Sequence, residues 1–396
     1  MAKKSRDLFV PVVPAGKLDR LFTHASSGPR HGAARELMNR IFENFVDVDG
    51  SFVREFQTTG FSPRLFELAL FAYIEEQDLP LDRTAPAPDF VIRSDHPVAI
   101  ELTTTNPSQE SQPGAPPTPS LLPDDLEAAD QEFVFQLGKA LRRKLTHRDA
   151  QDRAYWELPH VEGIPFVIAV GAFHNDHAQL HPDALLARYL YGLDQSFSHD
   201  EAGNLTIAQQ ELTEHRWSAK PKPLPSGLFK QPEAAHLAGV LFSNSHTIAK
   251  FNRIGIEQGL GNDETALVRF GTCFDYTPNS ASPSEFAYFV GERPGEQEDF
   301  AEGLTLFLNP WAATPLAPEA LPEIVTTTLR DSDGLLESTF PAGFRPFSSK
   351  TMVFPGPHSI VFARYFQQDQ LGLLKPGAPS FAEVMQRMTN DSGEGS

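Results

Sequence analysis

The sequence predicts an α/β protein: a mixed sheet flanked by helices, continued by a second mixed α/β half. Three observations carry this reading. An almost wholly apolar run of helical length, 62–76, precedes two short strand-like segments, 89–93 and 98–103. A long amphipathic stretch, 125–147, is followed by the apolar segment IPFVIAVGAF at 164–173, a buried strand in pattern. Beyond residue 236, short apolar runs recur, separated by proline and glycine.

The elements follow in chain order. Residues 1–33 read as an irregular arm. AARELMNRIFENF (34–46) places Leu37, Ile41 and Phe45 at helical spacing, so 1–46 forms an arm and a helix. Residues 47–195 form the expected core. Its first helix, 62–76, has Ser62 in the N-cap role and Pro63 at the first helical position. A strand at Asp89–Arg93, a turn at Ser94–His96 and a strand at Val98–Thr103 predict a hairpin. The segment 107–123 (PSQESQPGAPPTPSLLP) reads as a flexible insertion, 125–147 as a helix, and 182–192 as helical. Residues 196–236 are polar and proline-rich, a linker in composition. The C-terminal region, 237–388, shows strands near 237–243, 265–273, 285–290, 303–308 and 358–364. The last residues, 389–396, read as a disordered tail. No internal repeat is visible.

With 396 residues and 40% apolar content, the chain can build two or three domains, or one core with large additions. No apolar run is long enough to span a bilayer. The start MAKKSRDLFVPVVP lacks an apolar stretch ending in a cleavage site, which predicts no signal peptide. A single cysteine, Cys273, excludes an intrachain disulfide and carries no metal motif. The expected setting is a reducing, bacterial-type cytoplasm, with no membrane partner. The oligomeric state is not readable.

The net charge of −19 shapes the functional reading. Nucleic-acid binding draws much of its affinity from cations that displace condensed counterions. A nucleic-acid partner would therefore need a local basic patch. One candidate is Lys139, Arg142, Arg143, Lys144, His147 and Arg148; a weaker one is Lys220, Lys222 and Lys230. Against this stands the plainer reading of each as a solvated face.

The chemistry-bearing stretch is RLFELALFAYIEE followed by PAPDFVIRSDHPVAIELTTTNP. Glu67 lies in a helix that is apolar almost all round, so the helix should be buried. A carboxylate there is costly unless paired or bound to a cation. The structural alternative is an ion pair with Arg64. Asp89 opens one strand of the expected hairpin and Glu101 lies near the end of the other, so the two carboxylates can approach. Ile100 and Leu102 flank Glu101, so alternation points it to the opposite face. The alternative is an exposed acid on an edge strand. Two or three carboxylates would suit Mg2+ or Mn2+, which prefer oxygen ligands and retain waters. Such an ion acidifies bound water and neutralises transition-state charge in phosphodiester hydrolysis.

A helical glutamate, then P-x-D at a strand start, then apolar-Glu-x-x after a hairpin resembles the PD-(D/E)-x-K nuclease superfamily. Pro88 and Asp89 supply the "PD". The resemblance covers roughly residues 60–175. It implies a restriction-endonuclease-like core and a metal-dependent nuclease acting on DNA or RNA. It also implies Asp89 and Glu101 as metal ligands, with Glu67 as their helical partner. The chain departs from the pattern at the lysine position, which holds Thr103. In the superfamily that lysine can move to the following helix. Leu137 and Leu141 mark the buried stripe of 125–147, and Lys144, seven residues after Leu137, falls almost on it. Lys139 lies nearly opposite and should face solvent. Lys144 is thus the replacement candidate, its stem able to snorkel into a polar site, with Gln136 on an adjoining face. The segments LAGVLFSN, KFNRIG and GLTLFLNPWAATPL also resemble an uncharacterised bacterial family with this fold.

Two further groups were weighed. His174, Asp176, His177 and His181 (HNDHAQLH) follow the apolar strand 164–173 and could bind zinc, or simply form a polar loop. Lys250, Phe251, Asn252 and Arg253 could contact phosphate and stack on a base, or form a turn with one buried phenylalanine. No G-x-x-x-x-G-K-[ST] and no G-x-S-x-G occur, which argues against a phosphate-loop motor and an α/β-hydrolase. Three readings result: a nuclease, a nuclease-like fold that has lost catalysis and serves as a binding or scaffold protein, and a zinc hydrolase.

Overall fold

The computed structural model describes residues 7–105, 123, 125–175, 177–262, 264–293 and 295–393, the last few by backbone alone. An eight-stranded mixed sheet organises it, and its strands follow one another across the sheet in chain order. They are β1 (Leu81–Asp82), β2 (Phe90–Ile92), β3 (Val98–Thr105), β4 (Phe166–Ala172), β5 (Leu237–Ser243), β6 (Leu304–Leu308), β7 (Val325–Leu329) and β8 (Leu336–Thr339). The pairs β3–β4, β4–β5 and β6–β7 are parallel, and the remaining neighbours are antiparallel. The protein is therefore α/β in class, with helices on both faces of the sheet. No helix among the described residues is long and apolar enough to cross a membrane.

Strand alternation builds the two sides of the core. On β3, Val98, Ile100 and Leu102 face the helix Phe61–Glu76 and join Phe66, Leu70 and Ile74. Ala99 faces the helix Leu126–Leu145 and joins Phe133, Leu137 and Leu141. Glu101, Thr103 and Thr105 share that second face. Burial on both sides explains the near-continuous apolar sequence of β4 and of the first half of β3.

The second half extends this sheet instead of standing apart. β5 pairs with β4 from Phe166↔Leu237 to Gly171↔Ser243, so residues 237–243 complete the core begun by the first half. A smaller antiparallel sheet of Ser284–Phe289, Thr265–Cys273 and Pro346–Pro355 lies outside the main one. The helix Ile248–Glu257 packs tightly on the helix Gly32–Asn44. A Cβ on Gly255 would stand 2.8 Å from the Ala33 carbonyl oxygen, so only glycine permits this approach.

Several elements differ from the sequence reading. Residues 358–364, expected as a strand, lie in the helix Ser359–Gln370. Ser359, Ala363 and Phe366 are buried at helical spacing, a stripe that the β-branched and aromatic content obscured. The helix expected from a Ser62 cap starts one residue earlier, at Phe61, because that ring is buried beside Phe56 and Phe22. The polar stretch 196–236 contains most of the hairpin Leu193–His199/Leu205–Glu211, closed by an Asp200 side chain that accepts from the Ala202 and Asn204 amides. Backbone pairing does not require apolar side chains, so composition gave no sign of it. Within 182–192, a short α-helix (Ala184–Ala187) runs into a π-helical turn. The insertion expected at 107–123 lies outside the described residues except for position 123. The final helix, Phe381–Gly393, reaches into the expected tail, whose last three residues also lie outside them.

Candidate functional site

Four sequence-selected residues converge at the β2–β3 edge of the sheet. β2 and β3 pair with Phe90↔Ile100 and Ile92↔Val98, which brings Asp89, at the mouth of β2, against Glu101 and Leu102. The Asp89 carboxylate accepts from the Leu102 amide at 2.7 Å. Its own amide donates to Glu101 Oε2 at 3.3 Å. These reciprocal bonds fix both carboxylates relative to the backbone.

Lys144 arrives from the other side of Glu101. Its ammonium stands 2.5 Å from Glu101 Oε1. The helix Leu126–Leu145 delivers it by the stripe argument: Leu137 and Leu141 are fully buried, Lys139 is exposed, and Lys144 reaches past the core edge to the polar group. Arg143, its neighbour, donates to the Thr103 hydroxyl at 2.8 Å. Thr103, two residues after Glu101, thus has an arginine bound to it. The Tyr155 hydroxyl also hydrogen-bonds Glu101, and the Lys144 ammonium lies 5.8 Å from the centre of that ring. Gln136 is half-buried on the same helix.

Glu67 stands behind this group on the helix Phe61–Glu76. It is 4% exposed. It pairs with Arg64 and, at 3.4 Å, with Arg83. The ion pair weighed against a functional role is therefore present, and a second arginine joins it. Arg83 is held flat by cation–π contacts, its guanidinium 4.3 Å from the Phe45 ring centre and 5.1 Å from that of Phe90. Its Nε and Nη1 atoms are buried without a hydrogen-bond partner, leaving part of its donor fork unused.

The electrostatics follow from burial. Glu101 is pushed up to about 8, first by removal from water and then by the charge of Asp89; Lys144 pulls it back only in part. Glu67 is pushed up to about 7 by burial and Asp89, against the pull of Arg64 and Arg83. Both acids therefore feel Asp89. The arginines and lysine around Glu67 and Glu101 do not offset the desolvation of these two acids.

Arg83 and Tyr155 were not visible from sequence. Arg83 sits in a proline-bounded loop and Tyr155 in a short 3₁₀ turn, and neither belongs to a periodic pattern. Arg143 was legible only as one member of a basic run.

The other candidate groups resolve differently. Lys250, Phe251, Asn252 and Arg253 lie in a buried helix and not in a turn. Lys250 and Arg253 bond Glu298 at 3.2 and 2.7 Å, with Arg269 closing the network onto Glu298 and Glu302. These cations are spent on internal carboxylates and do not face a phosphate. His174 and His181 are buried near one another, while Asp176 lies outside the described residues. Among the described residues no set of three His, Cys, Asp or Glu side chains is spaced to hold one metal ion. In the basic run, Lys139, Arg143, His147 and Arg148 are exposed, whereas Arg142 is taken up by Glu233 and Gln231.

Compared with protein-family models, curated proteins and solved structures, the chain matches none of them.

Proposed function

We propose that the protein is a metal-dependent phosphodiesterase acting on DNA or RNA, of PD-(D/E)-x-K type with its lysine displaced to the helix Leu126–Leu145. The observation that carries this reading is the 2.5 Å contact between Lys144 and Glu101 beside Asp89. The element order supports it too: a glutamate-bearing helix, a three-strand antiparallel meander β1–β3, a helix, then a parallel β4.

The donor set fits a hard divalent cation. Asp89 and Glu101 offer oxygen ligands side by side, and Mg2+ is commonly held by one or two carboxylates with water completing its shell. Asp89 and Glu101 would hold Mg2+ or Mn2+, with Glu67 adding charge from behind. Such an ion supplies charge neutralisation and an acidified water. The chain's own residues do the rest. The backbone bonds of Asp89 and Leu102 orient both carboxylates. Lys144 holds positive charge at Glu101 Oε1, where it favours the ionised acid and would stabilise charge growing on a phosphate oxygen. Arg143, Lys139, His147 and Arg148 form the local cationic face that a polyanion needs on a chain of charge −19. The alternative, an inactive scaffold, drew on Thr103; Lys144 and Arg143 at that point restore the cation that Thr103 lacks.

The test is cleavage of labelled single- and double-stranded DNA and RNA in Mg2+, in Mn2+ and with chelator. The expected result is metal-dependent cleavage abolished by Asp89→Asn and by Glu101→Gln. Cleavage that survives both substitutions would remove the site from the mechanism. No cleavage of any substrate would favour the scaffold reading.

A further inference from the structure

The face of β3 that carries Glu101 and Thr103 continues to Thr105, where a second polar group begins that phosphodiester hydrolysis leaves unused. Thr105 Oγ1 and His174 Nδ1 are hydrogen-bonded at 3.0 Å. His181 Nδ1 lies 2.8 Å from Asp130 Oδ1, on the second turn of the helix that bears Lys144. A carboxylate only accepts, so a hydrogen sits on His181 Nδ1, and Nε2 is the ring nitrogen left for a ligand. Both rings lie against Phe133, with centroid separations of 6.0 Å for His174 and 4.7 Å for His181.

Both histidines are more than nine-tenths buried, at 6% and 4% exposure. Both Nε2 atoms are buried with no hydrogen-bond partner. Orphaned polar atoms in a core are few and signal a water, an ion or a strained function. Here two lie in one cluster, and a carboxylate fixes the tautomer of one ring. A carboxylate on the far nitrogen is the usual support of a metal-binding histidine.

We propose that His174 and His181 form a binding site for a borderline transition-metal dication of the Zn2+ type, ligated through the two Nε2 atoms. No set of three His, Cys, Asp or Glu side chains among the described residues is placed for one ion. The site is proposed with two histidine ligands from the described residues, and other ligands such as water would complete the shell. Imidazole selects zinc, copper or nickel over magnesium, which separates this site chemically from the Asp89–Glu101 pair. Asp130 and Phe133 belong to the helix Leu126–Leu145, while His174 and His181 belong to the segment after β4. A bound ion would tie that segment to the helix that presents Lys144, a structural clamp independent of whether the carboxylate site cleaves anything.

The experiment titrates Zn2+ calorimetrically, and Cu2+ by electron paramagnetic resonance, into metal-stripped protein without nucleic acid. Wild type, His174→Gln, His181→Gln and Asp130→Asn are compared in excess Mg2+, which keeps the Asp89–Glu101 carboxylates occupied, each checked for native circular dichroism. The expected result is one equivalent of Zn2+ beyond the Mg2+-occupied carboxylates, with binding weakened at least 10-fold in each histidine variant and about 10- to 100-fold in Asp130→Asn. The Cu2+ spectrum should show coupling to two imidazole nitrogens in the wild type and to one in either histidine variant. If the two Nε2 atoms merely share a water, no Zn2+ binds at stoichiometry, and the proposal fails. It fails equally if bound Zn2+ is indifferent to both histidine substitutions in folded protein.

Discussion

Glu101 is where the competing forces on the site are most exposed to measurement. Burial and Asp89 raise its carboxyl from an ordinary 4.5 to about 8, so the fold favours the protonated acid. The contribution to stability is complete below about 4.5 and is lost as pH rises through 8. Urea melts of metal-free protein across pH 5–9 should therefore show a falling stability that is shallower in Glu101→Gln, whose amide never ionises. Added Mg2+ should restore most stability at the alkaline end, because only the ionised carboxylates bind it. An identical pH profile in Glu101→Gln would mean that Glu101 ionises freely in the fold. Lys144 offers a complementary test. Lys144→Ala removes the cation on Glu101 and should lower the cleavage rate by about 100-fold or more. Restoring a lysine on the strand, as Thr103→Lys in the Lys144→Ala background, should recover part of that loss if the charge matters more than its backbone origin.

At the scale of elements, the helix Leu126–Leu145 decides whether a lysine reaches the site at all. Its heptad-like spacing from Leu137 through Leu141 to Lys144 was readable from sequence, and the structure places those residues as the spacing implies. The Asp89–Glu101 hairpin was equally readable, since two short alternating strands and a tight turn leave one register. Two elements were not: the polar hairpin at 193–211, which lacks apolar periodicity, and the helix at 359–370, whose stripe is hidden among β-branched and aromatic residues, are set by backbone pairing and by a partner surface that one strand of sequence does not reveal. Arg83 escaped for the same reason, because its role comes from two rings and a carboxylate distant in the chain. Leu137→Ala, at a fully buried position, should cost about 2–5 kcal/mol in chemical denaturation. It should also slow cleavage by loosening the helix that presents Lys144. A loss of stability with an unchanged single-turnover rate would show that Lys144 is positioned locally instead.

At the scale of the whole molecule, the composition break at 196–236 suggested a linker, yet β4 and β5 on either side of it are neighbours in one sheet. A chain ending at residue 236 would leave the fully buried β4 with an unpaired edge and one open face. Such a fragment should lack a cooperative thermal transition by circular dichroism; a sharp transition would restore the two-domain division. The molecule's charge makes a parallel prediction. Nucleic-acid affinity should fall steeply with salt, and Arg143→Ala should reduce the slope of log affinity against log salt by about 1. No change in slope would remove Arg143 from the interface.

The proposed activity depends on Lys144 completing a metal-dependent site with Asp89 and Glu101. Single-turnover cleavage by wild type, Asp89→Asn, Lys144→Ala and Thr103→Lys/Lys144→Ala, in Mg2+ on one labelled substrate, tests it directly. The expected result is cleavage by the wild type, none by Asp89→Asn, a loss of about 100-fold or more in Lys144→Ala, and partial recovery in the double variant. A Lys144→Ala rate equal to that of the wild type, or no cleavage by the wild type under any divalent ion, would contradict it.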